Sequence, residues 1–408
     1  MKKQFRGFYP LSEEEFKILW EKSLFVFDTN VLLNLYRYPI EVSNDFLNVL
    51  KHLQDRIWLP NNVALEFQVN RRSVIQEQED KFDEVKNDLT ATQNDLKNKL
   101  NRLKKRHSLI DPSTFLEKTE EVFKEFEETV DSLKEELPNL IESDSIRNEL
   151  DRLFNEKIGQ PFSNQELNEI YTEGVERYKY KIPPGYMDNK DEKITYGGRI
   201  YDKQYGDLIL WKQIIKLIGE NRNFEAMILV SDDDKEDWWW REKGKVIGPR
   251  PELVEEILGA GDVKLFYMYN SEGFLKYAKE YLQIDIKDES IKQVQSVTQA
   301  WRSERFSPYL KRIIEFLWNN GDPIGATPSD ILQNIGAGAY GNHSKLSLPP
   351  WGLVENDLET PKRKLTKRGI QFVKDEYKIP LILIRDPDSL EWVADPESER
   401  IRISDVGD

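Results

Sequence analysis

A chain of 408 residues leaves room for two or three domains, and its one-third of charged residues beside 38% hydrophobic ones allows packed cores with much solvated helix. A formal net charge of −15 argues against a protein that coats nucleic acid through its overall field. With no cysteine and only His52, His107 and His343, far apart in sequence, thiol chemistry, disulfides and cysteine–zinc sites are excluded and no histidine dyad is expected, which leaves carboxylates as the reactive groups.

Lys2 and Lys3 have no apolar run behind them, and no stretch approaches the roughly 20 apolar residues of a membrane span. A cytoplasmic chain without membrane contact is therefore expected. Residues 12–22 read as a first helix, with Ser12 and Glu15 in capping-box spacing. Leu24–Phe27 is a short apolar run that stops at Asp28, the pattern of a buried parallel strand. A helix is expected from about Val31 to Leu53, a second strand at Ile57–Leu59 stopped by Pro60, and another helix from about Asn62 through Arg72 and beyond.

A large insertion follows. Phe82, Val85, Leu89, Leu96, Leu100 and Leu103 keep a three–four spacing with Thr92 filling the gap, and Phe123, Phe126, Val130, Leu133, Leu137 and Leu140 keep the same spacing. The stretch around Pro112 separates the two runs, so the expected object is an antiparallel helical hairpin with arms of roughly 30 Å. Residues 163–179 read as a helix capped by Ser163 and Glu166, and Ile182-Pro-Pro-Gly-Tyr186 as a stiff loop. Ala226–Val230 and Val263–Tyr269 are the third and fourth strands, the last followed by a helix at Ser271–Leu282. Strands alternating with helices imply an α/β fold with an open, mostly parallel sheet.

From about residue 300 the pattern changes. Helices at Pro308–Asn319 and Thr327–Asn334, a glycine-rich break at Gly336–Gly341, then Trp351–Glu355 and Lys364–Arg368 flanking a turn before a helix at Gly369–Glu376, resemble a winged helix. The expected domains are 1–285 with a helical insertion at about 75–200, a linker or helix at 286–305, and a small α+β module at 306–408.

Asp28 and the Asp232–Asp233 pair each follow an apolar strand, and the carboxyl ends of parallel strands share one edge, where ligands bind. Glu66 lies early in the helix after the second strand, with Leu65 and Phe67 as neighbours, and Asp207 opens the helix before the third strand. Taken singly, an aspartate after a strand is most often a turn former or a helix cap. Taken together, four acids at one edge repel each other unless a cation neutralises them. Oxygen ligands without histidine or cysteine select Mg²⁺ or Mn²⁺, one ion or two, which can polarise a phosphodiester and lower the pKa of a bound water.

Asp28-Thr-Asn30, a glutamate some forty residues on, Gly206-Asp207 heading a helix and Ser231-Asp-Asp233 after a strand resemble the motif order of PIN domains. The stretches Pro183-Pro-Gly-Tyr186, Gly206-Asp-Leu-Ile-Leu-Trp211 and Asp237-Trp-Trp-Trp240 resemble the bacterial PIN-like branch with a long helical insertion, across most of residues 20–285. The resemblance implies Asp28, Glu66, Asp207 and Asp233 as catalytic metal ligands. It implies Asn30 as a brace, Ser231 in the Ser/Thr position before the last acid, and Asp232 and Asp237 as supporting acids. It also implies a Mg²⁺- or Mn²⁺-dependent endonuclease, with RNA slightly favoured over DNA and a toxin or phage-defence role by analogy.

Arg71 and Arg72, one to two turns after Glu66, are candidate phosphate contacts, with Lys190 and Lys193 weaker ones. The run from Lys97 to Arg106, including Lys99, Arg102, Lys104 and Lys105, carries no acid and lies at the hairpin tip, where it reads equally as a phosphate clamp or a solvated helix end. Lys364, Lys367 and Arg368, beside Lys362 and Arg363, fall on the supposed wing and next helix. Trp238-Trp239-Trp240 reads first as packing and second as base stacking. Nucleic acid is the expected partner, and a second copy or a defence-system protein is expected through the hairpin or the C-terminal domain. The rival reading is a catalytically silent nucleic-acid-binding regulator or adaptor on the same fold. A phosphatase ranks lower, because Asn30 stands where its second acid is needed.

Overall fold

A computed structural model describes residues 1–107, 109, 111–188, 192–220, 224–242 and 245–304, with four short strands further on. In chain order the elements are α1 Glu13–Lys22, β1 Ser23–Phe27, α2 Thr29–Asn34, α3 Ile40–His52, β2 Ile57–Trp58, α4 Asn61–Arg106, α5 Ser113–Glu136 and α6 Ser145–Leu153. There follow α7 Asn164–Lys179, β3 Lys193–Tyr196, β4 Arg199–Asp202, α8 Gly206–Glu220, β5 Ala226–Val230, β6 Trp239–Glu242, β7 Lys245–Pro249, α9 Pro251–Ala260, β8 Leu265–Tyr269, α10 Ser271–Leu282 and α11 Asp288–Glu304. They divide into two compact units, one of Met1–Phe162, Leu210–Asp233 and Leu253–Val297, the other of Ser163–Ile209, Asp234–Glu252 and Thr298–Asp408.

The first unit is built on a four-stranded parallel sheet of order β2-β1-β5-β8. Every residue of β1 and β5 is buried, as expected of strands covered on both faces. Phe27 is in register with Val230, and Val230 with Tyr269, so these three strands end level. Two further bonds extend the ladder beyond them, from Asp28 N to Val230 O and from Ser231 N to Tyr269 O, both 2.9 Å. The chain leaves β1 for β2 on one side and returns to β5 on the other, which makes the edge beside Asp28 the switch point of the sheet. An aromatic core of Trp20, Phe25, Phe27, Phe46 and Phe274 lies under it. The capping box of Ser12 and Glu15 forms as its spacing predicts.

Two expectations change. The helix predicted over Val31–Leu53 is two helices, because Pro39 lacks an N–H and disfavours helical geometry in the residue before it. The insertion begins without a break: α4 is one helix of 46 residues, about 69 Å at the α-helical rise, carrying Glu66 near its start and the hairpin tip at its end. Lys97 meets Glu120 at 2.8 Å and Lys134 meets Asp83 at 3.0 Å, so α5 runs back antiparallel along it. The stretch expected as a linker or helix is the helix α11, which buries Val294 and bonds Ser290 Oγ to Asp45 at 2.7 Å.

In the second unit, α7 carries the expected capping box of Ser163 and Glu166. Two antiparallel hairpins, β3–β4 and β6–β7, were not anticipated. Gly197 and Gly198 close the first with φ of +57° and +72°, the conformation a two-residue hairpin turn requires. Further along, Val354–Asn356 pairs antiparallel with Arg363–Leu365, at the place of the expected wing, and Leu383–Arg385 pairs antiparallel with Trp392–Ala394. The expected helices at 308–319, 327–334 and 369–376, along with Lys190, Lys367 and Arg368, lie outside the described residues. Among the described residues no helix is long and apolar enough to cross a membrane.

Candidate active site

Asp28 ends β1 and caps α2. Its Oδ1 accepts from Thr29 N at 2.6 Å, and its Oδ2 accepts from Asn30 Nδ2 at 2.6 Å and Ser231 Oγ at 2.7 Å. All three donors are neutral. Burial raises the Asp28 carboxyl, the Ser231 hydroxyl opposes the rise, and the charges of Asp233 and Glu66 add to it, so the group is pushed up to about 6. A sequence that stops an apolar strand with aspartate has thus placed a carboxyl out of water and within the field of two more.

The neighbours hold this arrangement rigidly. Asn30 reaches Ser231 Oγ at 3.3 Å, and its Oδ1 accepts from Asp232 N at 2.9 Å, which ties the end of β1 to the loop after β5. Ser231 Oγ also accepts from Asp233 N at 3.1 Å. Glu66, in the second turn of α4, accepts from Thr29 Oγ1 at 3.1 Å and from Asn62 Nδ2 at 3.0 Å, and Asn62 N is itself fixed by Gln213 Oε1 at 3.0 Å.

The run Ser231-Asp-Asp233 left open which acid would serve. Asp232 is buried, with Oδ1 accepting from Ser271 N at 2.8 Å and Oδ2 from Ser271 Oγ at 2.6 Å and Asn34 Nδ2 at 2.7 Å. Its oxygens fasten the start of α10. Asp233 is partly exposed and acts on Asp28 through its charge. Glu66 and Asp233 are therefore the acids of this unit whose charges act on Asp28.

Asp207 belongs to the second unit, in the first turn of α8. Trp238 Nε1 donates to its Oδ2 at 3.0 Å, and Lys235 Nζ lies 3.5 Å from the same oxygen and 2.7 Å from Asp188 Oδ1. Asp237 is buried and accepts from Gly185 N at 2.9 Å and Met187 N at 3.2 Å, which fixes the Pro-Pro-Gly loop. A Cβ on Gly185, whose φ is +92°, would collide with the Tyr178 hydroxyl and come within 3.2 Å of Asp207 Cβ. Trp238 and Trp239 are buried, so packing rather than base stacking occupies them.

Of the basic residues predicted for phosphate contact, Arg71 is committed elsewhere: its guanidinium pairs with buried Asp144 at 2.6 Å, and Tyr36 Oη bonds the same carboxylate at 3.0 Å. Arg72 is exposed. At the hairpin tip, Lys104 pairs with Asp111 at 2.9 Å and Lys97 with Glu120, so acids of the turn and of α5 offset part of the basic run, while Lys105 and Arg106 stay exposed. Thr29, Asn62, Asn34, Ser271, Asp188 and Lys235 were missed as supporting residues. Only Thr29, inside the Asp28–Asn30 motif, and Asn62, one helical turn before Glu66, carried a local signal.

Among the described residues no three acidic or histidine side chains converge closely enough to form a ready metal cage. The donor chemistry at Asp28 nevertheless fits a hard divalent cation: carboxylate oxygens, with the Asp28 carboxyl raised first by burial and further by its acidic neighbours.

A family model described as PIN like domain matches residues 24–253, more than half of the chain. No curated protein and no solved structure matches it. The matched span includes residues 28, 66, 207 and 233, and a parallel sheet covered by helices agrees with it. The chain belongs to the PIN-like domain family, whose fold is of nuclease type.

Proposed function

We propose that the chain is a Mg²⁺- or Mn²⁺-dependent nuclease that hydrolyses phosphodiester bonds, with Asp28, Glu66 and Asp233 as ligands. The observation that carries this reading is the Asp28 carboxyl, buried among neutral donors and pushed up to about 6 with Asp233 and Glu66 acting on it. Such a group is costly to ionise alone and becomes favourable beside a cation. When bound, the ion would supply Lewis-acid polarisation of the scissile phosphate and a lowered pKa for the attacking water. The chain's own part is positional. Thr29 and Asn62 aim Glu66, while Asn30 and Ser231 fix Asp28 Oδ2 and the backbone of Asp232 and Asp233. Glu66 and Asp233, only partly buried, are suited to take the proton released on hydrolysis. The resemblance implies a catalytic role for Asp207 as well, which in its own unit has Lys235 beside it.

RNA is the first substrate to test and DNA the second, with a toxin or phage-defence role as the biological setting. Exposed Arg72, Lys105 and Arg106 are the candidate phosphate contacts, with Lys364 a further one on sequence grounds. The test is incubation of labelled RNA, single-stranded DNA and duplex DNA with the purified protein, in Mn²⁺ or EDTA, beside Asp28→Asn. Cleavage lost in EDTA and in the variant is expected; cleavage that survives both would overturn the reading. Binding without cleavage would instead support the silent regulator, a reading favoured by the lysine already seated at Asp207.

A further inference from the structure

The hairpin of α4 and α5 leaves a row of large apolar side chains uncovered. On α5, Phe115, Val122, Phe126 and Leu133 are 54%, 63%, 48% and 51% exposed, although Val130 of the same helix is buried. At about 100° per residue these four fall within a sector of roughly 40°, filled out by Thr119 and Thr129 and free of charged residues. On α4, Val85 and Leu103 are exposed and occupy a single angular position. The antiparallel pairing of Lys97 with Glu120 and Asp83 with Lys134 fixes which way each helix faces. It turns the α4 pair and the α5 row to the same side of the hairpin. Solvated helices rarely expose such a continuous apolar face.

Its spacing indicates what covers it. Along α5 the row steps by seven, four and seven residues, which is symmetric about Lys124. Val85 and Leu103 are symmetric about Asn94. The pairing of Lys97 with Glu120 sets Asn94 level with Phe123, one residue from the first centre. Both helices thus share one centre of symmetry, as an isologous contact demands, where residue i meets j and j meets i.

We propose that the hairpin is a homodimerisation arm, which pairs antiparallel with the hairpin of a second copy to form a four-helix bundle. A twofold axis through the shared centre sets Val122 opposite the second copy's Phe126, Phe115 opposite its Leu133, and Val85 opposite its Leu103. The same axis brings Arg102 beside the second copy's Glu84 and Lys99 beside its Asp88, so the rim charges are complementary although no side chain was placed to make them so. Lys99 is shared with Asp95 of its own helix, 2.7 Å away.

Sedimentation velocity on the full chain should give a species of twice 48.2 kDa, and Val122→Glu/Phe126→Glu should return it to one copy with unchanged far-ultraviolet circular dichroism. Arg102→Glu and Glu84→Arg should each weaken the dimer about tenfold, and the double exchange should restore it. Because the chain has no cysteine, crosslinking reads the geometry directly. Val122→Cys/Phe126→Cys should give a disulfide-linked dimer on oxidation. Phe115→Cys alone should not, since antiparallel copies hold that position about 27 Å from itself. A wild-type monomer at 50 μM, retention of the dimer in the double glutamate variant, failure of the charge exchange to restore association, or rapid crosslinking through Phe115→Cys would each overturn the proposal.

Discussion

Asp28 and Asp207 both stand at the start of a helix, but their charges are met differently. Asp28 receives only neutral donors, from Thr29, Asn30 and Ser231, while the charges of Asp233 and Glu66 act against it. Asp207 has the Lys235 ammonium 3.5 Å away, shared with Asp188. Asp207 carries a cation beside it in the sequence, whereas the donors to Asp28 are neutral. Buried like charges held in place by hydrogen bonds cost stability, and such costs are kept where a ligand relieves them. The difference thus marks Asp28 rather than Asp207 as the centre of the metal-binding proposal.

The strongest way to break this comparison is Asp28→Asn. Cleavage should fall about 10³-fold, while the metal-free variant should lack the pH-dependent loss of stability that the Asp28 carboxyl gives the wild type. The sign follows from proton binding. A carboxyl near 6 in the folded state and 3.8 otherwise binds more protons when folded between those values, so wild-type stability falls as pH rises through that window. Urea unfolding in EDTA should show the gap between wild type and variant opening from about pH 4 to pH 6. A wild-type stability that does not fall relative to the variant through that window would remove the argument. Millimolar Mn²⁺ should raise the wild-type melting temperature and leave the variant's unchanged.

On the other side, Lys235→Met should cost about 3 kcal/mol, because it removes the ammonium from between two carboxylates. Adding Asp188→Asn should recover part of that loss in the same unfolding assay, and no recovery would mean that Lys235 acts through packing alone. A finer test lies within the first group. Asp232→Ala should destabilise the fold by about 2 kcal/mol, since Ser271 and Asn34 lose their acceptor, with cleavage reduced only in proportion to folding. Asp233→Ala should leave stability within about 0.5 kcal/mol and abolish cleavage. Equal effects of the two substitutions would contradict the separate roles given to these neighbours.

The four strands of the parallel sheet and the two capping boxes were legible because each rests on a local pattern, an apolar run stopped short or a serine three residues before a glutamate. The break at Pro39 is equally local, although apolar periodicity runs on either side of it. The division of labour between Asp232 and Asp233 was not legible. Adjacent aspartates look alike in sequence, and only the return of Ser271 and Asn34 to one of them distinguishes the pair. Arg71 misled for the same reason, since the acid that claims it, Asp144, lies 73 residues away.

By itself, the sequence determined the chemistry available to this protein: carboxylates without cysteine or a usable histidine pair, within the span that matches the PIN-like family. It also determined the apolar rows of the hairpin, since helical spacing is a property of the chain. Tertiary structure alone decided that Asp28 meets neutral donors while Asp207 lies beside a lysine, and which hairpin row faces inward and which faces out. Burial and charge balance depend on groups that are distant in sequence and meet only when the sheet and the helices close around them.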